Sequence, residues 1–139
     1  MNRLWRFFGR LVPSSTTETI WKRGEDAAAA YMKSKGYKIL ARNLRLSMGE
    51  IDLVCEDPKT GAVVVVEVKA RLQKIGDTKQ ITPEAAITSA KASKLRLLTK
   101  ALANQYLNEP RPIRIDVIAV VFGEGQHKQT EFRHYESAV

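Results

Sequence analysis

A mixed α/β fold, with a central sheet flanked by helices in the order α-β-β-β-α-β, is what this 139-residue sequence predicts, and three observations carry the prediction. Four consecutive valines, Val63 to Val66, are apolar on both alternating faces, so their strand belongs in a sheet interior with a layer on each side. The stretch "DPKTG", residues 57 to 61, combines Asp, Pro and Gly between two strand-like runs and should turn the chain back as a hairpin. Segments of helical periodicity stand before the first strand and after the third, where they can supply the two layers.

Taken in order, "ETIWKRGEDAAAAYMKSK", from about Glu18 to Lys35, sets Ile20, Trp21, Gly24, Ala28, Tyr31 and Met32 at helical spacing and ends at Gly36. This predicts a first helix with an apolar stripe. "YKILARNLRL", residues 37 to 46, alternates weakly and reads as a partly exposed strand, and "GEIDLVCE", residues 49 to 56, as a second. The third runs from Ala62 to Arg71. Thr82, Pro83 and Glu84 supply an N-cap, a first-turn proline and a dipole-compatible acid, opening a long helix to about Leu107 that Pro110 and Pro112 terminate. "IRIDVIAVVF", residues 113 to 122, is another buried strand, "GEGQ" a turn, and "EFRHYE" a candidate edge strand. Residues 1 to 17 thus read as a basic, flexible tail, 18 to 122 as one folded domain, and 123 to 139 as a polar extension; there is no internal repeat.

This length supports one hydrophobic core. Lys and Arg number 23 against 15 Asp and Glu, a formal charge of +8, which favours a polyanionic partner over the alternative of ordinary solubility charge. Cys55 is the only cysteine, which excludes a disulfide framework and a zinc knuckle and suits a reducing cytoplasm. No stretch reaches the ~18 apolar residues of a membrane span, and Arg3, Arg6 and Arg10 interrupt "MNRLWRFFGRLVP" before a signal-peptide core can form.

The chemistry gathers where the valine run stops. Glu67 and Lys69 are two apart on a strand and share a face, while Val66 and Val68 point into the other. If Glu56 opposes Val63 across the hairpin, Asp52 opposes Glu67 and Glu50 opposes Lys69. Ile51, Leu53, Val66 and Val68 then form one apolar face, and Glu50, Asp52, Glu67 and Lys69 converge on the other. Two carboxylates about 5 Å apart repel unless a hard cation lies between them, and an open, oxygen-rich site suits Mg2+ or Mn2+, with the Val68 carbonyl as a further ligand. A lysine beside them can orient or help deprotonate an attacking water, or neutralise charge on a phosphate, so Asp, Glu and Lys together suffice for phosphodiester hydrolysis by a metal-activated water. The competing reading is an ordinary strand ending in a solvated Glu–Lys pair. On the long helix Lys91 interrupts the stripe of Ile87, Leu95, Leu98 and Leu102; it either snorkels or reaches a scissile phosphate.

"GEIDLV", a short hairpin and "VVVVEVKAR" resemble the PD-(D/E)XK nuclease pattern, an Asp on one strand followed by Glu-x-Lys on the next. With "GEDAAAAYMKSKGYKILARNLRLSMGEIDLV", the later Lys-containing helix and "IRIDVIAV", the likeness spans roughly residues 20 to 122 and is to the YraN-like family, related to Holliday junction resolvases. The resemblance implies a restriction-endonuclease-like core and a metal-dependent endonuclease acting on DNA, with branched or junction DNA as candidate substrates. It places metal ligation on Asp52 and Glu67 and the catalytic lysine on Lys69; Ile51 stands where the superfamily often has Pro. It also matches Glu25 to a further acid that supports the metal or its water, against a simple surface acid beside Lys22 and Arg23. Glu50 is expected to support the site by steering Lys69. Resolvase-like enzymes often work as symmetric dimers, so a homodimer is a further implication.

Arg42, Arg45, Arg71, Lys74 and Lys91 are candidate contacts to a sugar-phosphate backbone, and Lys79 could join them. Residues 73 to 82 read as a flap or a connector. His127 and His134 lack partners in the sequence and receive no metal role; Ser14 and Ser15 lack triad company; Asp116 reads as a strand-end hydrogen-bonding group. Two readings compete with the nuclease: a nucleic-acid-binding module with no turnover, and a protein-interaction scaffold.

Overall fold

The valine run organises the molecule. The computed structural model describes residues 19–73, 76, 85, 87–124 and 129–139. Its five-stranded sheet has the order β1-β2-β3-β4-β5, made by Lys38–Leu46, Gly49–Glu56, Val63–Gln73, Ile113–Gly123 and Thr130–Tyr135 in turn. Helix α1 is Ile20–Ser34 and helix α2 is Ser89–Tyr106. β3 pairs with β4 in parallel and every other neighbouring pair is antiparallel, so the sheet is mixed, as expected. A parallel pair needs a long crossover, and α2 lies within it. Along β3, Val63 and Val65 pack with Leu44, Leu95, Leu98 and Leu102, whereas Val64 and Val66 pack with Ala28, Met32, Leu53 and Ile118. The central strand therefore feeds two cores, one under each helix.

α1 begins at Thr19, whose hydroxyl accepts a hydrogen bond from the Lys22 N–H at 3.2 Å, and ends in Gly36 at φ +88°. Tyr37 N–H then reaches back to the Met32 carbonyl at 3.1 Å, the bond that closes a Schellman ending. Its buried stripe is narrower than the spacing suggests: Gly24, Ala28, Ala29 and Met32 are inside, but Trp21 is 71% exposed. Gly24 is where the helix comes closest to the sheet, since a Cβ there would lie 2.4 Å from the Ala70 Cβ. Within the described residues α2 opens later than expected, capped by Thr88, which accepts from the Lys91 N–H at 3.1 Å. The predicted cap Thr82 and its neighbours Pro83 and Glu84 lie outside the described residues, as do the tail 1 to 17 and most of the segment 73 to 82.

The hairpin forms as read. Asp57 holds it with its backbone, exchanging bonds with Ala62 and Gly61 at 2.9 Å each, and with its carboxylate, which accepts from Lys59 N–H at 2.7 Å. The register is the predicted one from Glu56↔Val63 to Leu53↔Val66, where the ladder ends. Beyond that point an expectation fails. Ile51 packs under α2 with Leu44, while Leu53 packs under α1, so these two residues do not share an apolar face. The alternation breaks at Asp52. In the partner strand the break falls on Asn43, which has φ +50° and sits between the pairs Arg42↔Leu53 and Leu44↔Ile51. A residue in the left-handed region rotates the strand locally, and here β1 and β2 rotate together.

Candidate active site

The end of the β2–β3 ladder creates an opening, and Asp52 occupies it. Its Oδ2 accepts a hydrogen bond from the Val68 N–H at 2.9 Å, a backbone donor that would otherwise seek a β2 carbonyl. In an extended strand the N–H and C=O of one residue leave on the same side, so the Val68 carbonyl faces that opening too. The register thus brings Asp52 beside β3 without a ladder pairing to Glu67; a side chain replaces the rung.

Glu67 is 4% exposed and continues the parity of Val63 and Val65 toward α2. Two ammonium groups meet its Oε1: Lys91 Nζ, from the first turn of α2, at 3.2 Å, and Lys69 Nζ, two residues on along β3, at 3.6 Å. Lys91 therefore leaves the apolar stripe to reach the carboxylate. Glu25 comes from the other side, on α1, and joins Trp21, Asp52, Glu67, Val68, Lys69, Ala70 and Lys91 in lining a cleft of about 470 Å3. The close approach of Gly24 to Ala70 places the next residue, Glu25, at that cleft, which Ala70 also lines.

Electrostatics follow from this crowding. Burial pushes the Asp52 carboxyl up to about 7, and the neighbouring Glu67 charge adds to it; the Val68 N–H and Lys91 oppose the shift. Burial also raises Glu25, with Glu50 adding repulsion, while the Asn43 amide, Arg42 and Lys22 pull the other way. With its amide nitrogen turned toward the acids, Asn43 donates to Glu25 Oε2 at 2.9 Å and to Glu50 Oε1 at 3.0 Å. Asn43 was not singled out in the sequence; its signal would have been an Asn facing the metal-pattern Asp across a strand pair, visible only once the β1–β2 register is known.

Glu50 does not pair with Lys69. The ladder has ended before the two could face one another, and Glu50 instead meets Asn43 and, at 3.7 Å, Arg45. Of the candidate backbone contacts, Arg42 is engaged by Asp26 on α1, Arg45 is 89% exposed beside Glu50, Arg71 lies on β3, and Lys74 and Lys79 lie outside the described residues. Cys55 is fully buried, and burial raises its thiol to about 12, so it is inert packing. His134 has a partner that the sequence did not reveal: its Nε2 is 2.8 Å from Asp116 Oδ2. His127, Ser14 and Ser15 lie outside the described residues.

Two carboxylates and a strand carbonyl can hold a divalent ion. Among the described residues no three His, Cys, Asp or Glu side chains gather into a metal cage, so water and substrate oxygens would complete the sphere. That donor set fits Mg2+ or Mn2+, which keep part of their hydration and bind through one or two carboxylates with phosphate. The raised Asp52 is consistent with the fit, because a cation would offset both the burial and the Glu67 charge that raise it.

Residues 24–120 match the family described as Uncharacterised protein family UPF0102. The chain belongs to UPF0102. The match covers every residue that lines the cleft except Trp21 and accords with the YraN-like resemblance. UPF0102 protein STH1475 of Symbiobacterium thermophilum is 40% identical over 101 residues, 73% of this chain and 80% of the relative. A UPF0102 protein of Pelotomaculum thermopropionicum is 43% identical over 122 residues, 84% of this chain and 92% of the relative. Among solved structures, an EndoMS–double-stranded DNA complex overlaps at a TM-score of 0.40 and 16% identity, over 76% of this chain and 38% of that one. A repair endonuclease from Pyrococcus abyssi overlaps at 0.42 and 18%, over 81% and 42%. Overlaps so loose transfer neither activity nor substrate. No described helix is long and apolar enough to cross a membrane.

Proposed function

We propose that this UPF0102 member is a metal-dependent endonuclease that hydrolyses DNA phosphodiesters, with branched or junction DNA as the candidate substrate. One observation carries the reading: a buried Glu67 bonded to two lysines, beside an Asp52 whose charge its surroundings resist, at the mouth of one cleft. A structural ion pair needs one lysine and no second acid, whereas two acids and two cations in a cleft suit charge that develops during a reaction. A Mg2+ or Mn2+ ion held by Asp52, Glu67 and the Val68 carbonyl would supply Lewis-acid activation of water and charge neutralisation at phosphorus. Asp52 stays fixed by the Val68 N–H and offers its other oxygen. Lys69 shifts from Glu67 to orient the attacking water, Lys91 takes the scissile phosphate, and Glu25 accepts a proton or holds that water from the α1 side. The +8 charge draws the polyanion, and Arg45, highly exposed and 3.7 Å from Glu50, is a surface contact for it.

Incubating the purified chain with Mn2+ and a panel of linear, flapped, single-stranded and four-way DNAs tests the proposal. Asp52→Ala, Glu67→Ala and Lys69→Ala should each lower cleavage by about 100-fold or more with circular dichroism unchanged. The net charge of +8 would by itself serve a second reading, a binding module with no turnover. Salt-sensitive DNA binding that survives Glu67→Ala, with no substrate cut by the wild type, would establish that reading instead.

A further inference from the structure

We infer that Trp21 is a stacking platform for an unpaired nucleobase beside the phosphate to be cut. The inference rests on the nuclease reading for its substrate class and adds what that class must contain. Trp21 lies in the first turn of α1, four residues before Glu25, so both project from one face of the helix. Both line the cleft that holds Asp52, Glu67 and Lys91. Ala28, Ala29 and Met32 of α1 are buried and Ile20, Ala27 and Tyr31 are partly buried against the same core, yet Trp21 is 71% exposed. Single exposed apolar residues are ordinary, and what distinguishes Trp21 is its place: an indole at the rim of a charged cleft offers a flat apolar face beside cations.

Charge identifies the occupant. Lys69 and Lys91 stand across the cleft from α1, on the β3 and α2 side, in a chain of net charge +8. One wall offers cations for a phosphate and the other offers an indole plane for a base, which together describe a nucleotide. Inside a duplex the base faces are taken by their neighbours, so an indole beside the scissile phosphate can receive only a base that has left the stack. Flaps, single strands and strand junctions provide such bases, and blunt duplex does not.

The chain has two tryptophans, Trp5 and Trp21, so a Trp5→Phe protein reports on Trp21 alone. Titrate that full-length protein in EDTA with single-stranded, flapped and blunt duplex DNA, following its emission and, by anisotropy of labelled DNA, its affinity. Single-stranded and flapped DNA should quench Trp21. Trp21→Ala should bind them about ten-fold more weakly, Trp21→Phe should retain most of the affinity, and blunt-duplex binding should change less than about two-fold. Because Trp21 is exposed, the variants should melt as the parent does. Unchanged emission at saturating single strand, unchanged affinity in Trp21→Ala, or an equal loss on blunt duplex would overturn the inference. None of these readouts needs cleavage. Quenching of Trp21 in a protein whose wild type cuts none of the DNAs with Mn2+ would sustain the platform while removing the nuclease; carboxylate-dependent cutting without quenching would do the reverse.

Discussion

At the scale of single residues, Asp52 is the position where stability and function conflict. Its folded value of about 7 stands above the ordinary 3.8, so the native state binds this proton more tightly than the unfolded chain does. By linkage, native stability then falls as pH rises from about 4 to about 7 and stays low above that. Asp52→Asn keeps an oxygen for the Val68 N–H and removes the buried charge. In EDTA at pH 8 it should therefore stabilise the fold by on the order of 1 kcal/mol or more, a gain that vanishes below pH 4, while it abolishes cleavage. Thermal melts of both proteins across that range measure it; an Asn variant less stable than the parent at pH 8 would contradict the burial account. That Asp52, Glu67 and Lys69 would line one cleft was legible because a short hairpin leaves few registers, although the expected rung between Asp52 and Glu67 does not form. That Asp52 would replace a ladder rung was not, because it depends on Asn43 adopting φ +50° and turning both strands.

Among the elements, α1 is the one whose fit to the sheet sets the cleft. Gly24 in a helix interior would ordinarily gain about 1 kcal/mol on change to Ala. Here the new methyl would meet the Ala70 Cβ at 2.4 Å, on a strand that cannot yield as a flexible side chain would, so the clash outweighs propensity. Gly24→Ala should destabilise by about 1–3 kcal/mol in urea unfolding and reduce cleavage by displacing Glu25 and Trp21. Adding Ala70→Gly should restore much of both; a more stable Gly24→Ala protein would show that the helix does not seat so closely. The strands were legible almost to the residue, since their apolar runs and the Asp57 turn are local signals. The apolar stripe of α1 was not: helical spacing groups Trp21 with Ala28, and only the packing of the helix on the sheet shows that Trp21 stays outside the core, at the cleft. Thr88, which caps the described helix, is a second Thr before the same apolar stripe, and no local signal ranks it against Thr82.

Over the whole molecule, a second cluster of charge fastens the half of the sheet that does not bear the cleft. Asp116, fully buried on β4, accepts from both ends of the Arg114 guanidinium and from the Ser137 N–H at 3.0 Å each, and meets His134 at 2.8 Å. Arg114 continues to Asp57 in the hairpin and to the Tyr37 hydroxyl before β1. Edge strand, hairpin and the start of the sheet are thereby tied to one carboxylate. Burial opposes its charge, but His134, Arg114 and Ser137 together hold it below the usual Asp range, so its contribution is present at neutral pH and lost as pH falls through that lowered value. Asp116→Ala takes a buried acceptor from Arg114, His134 and the Ser137 N–H at once and should cost about 3 kcal/mol in urea unfolding, without any loss of the Asp52 and Glu67 geometry in molecules that remain folded. No local signal shows this network, because His134 and Ser137 reach Asp116 only through the pairing of β4 with β5. The cleft and the clamp are thus separate electrostatic systems on one sheet, and the claim on which the function rests concerns the first. Titrating Mn2+ against the folded protein at pH 8, with free ion followed by electron paramagnetic resonance, tests that claim most directly. The wild type should take up one ion and Glu67→Gln should take up none at the same concentrations; equal uptake by the two proteins would mean that Asp52 and Glu67 do not hold the ion.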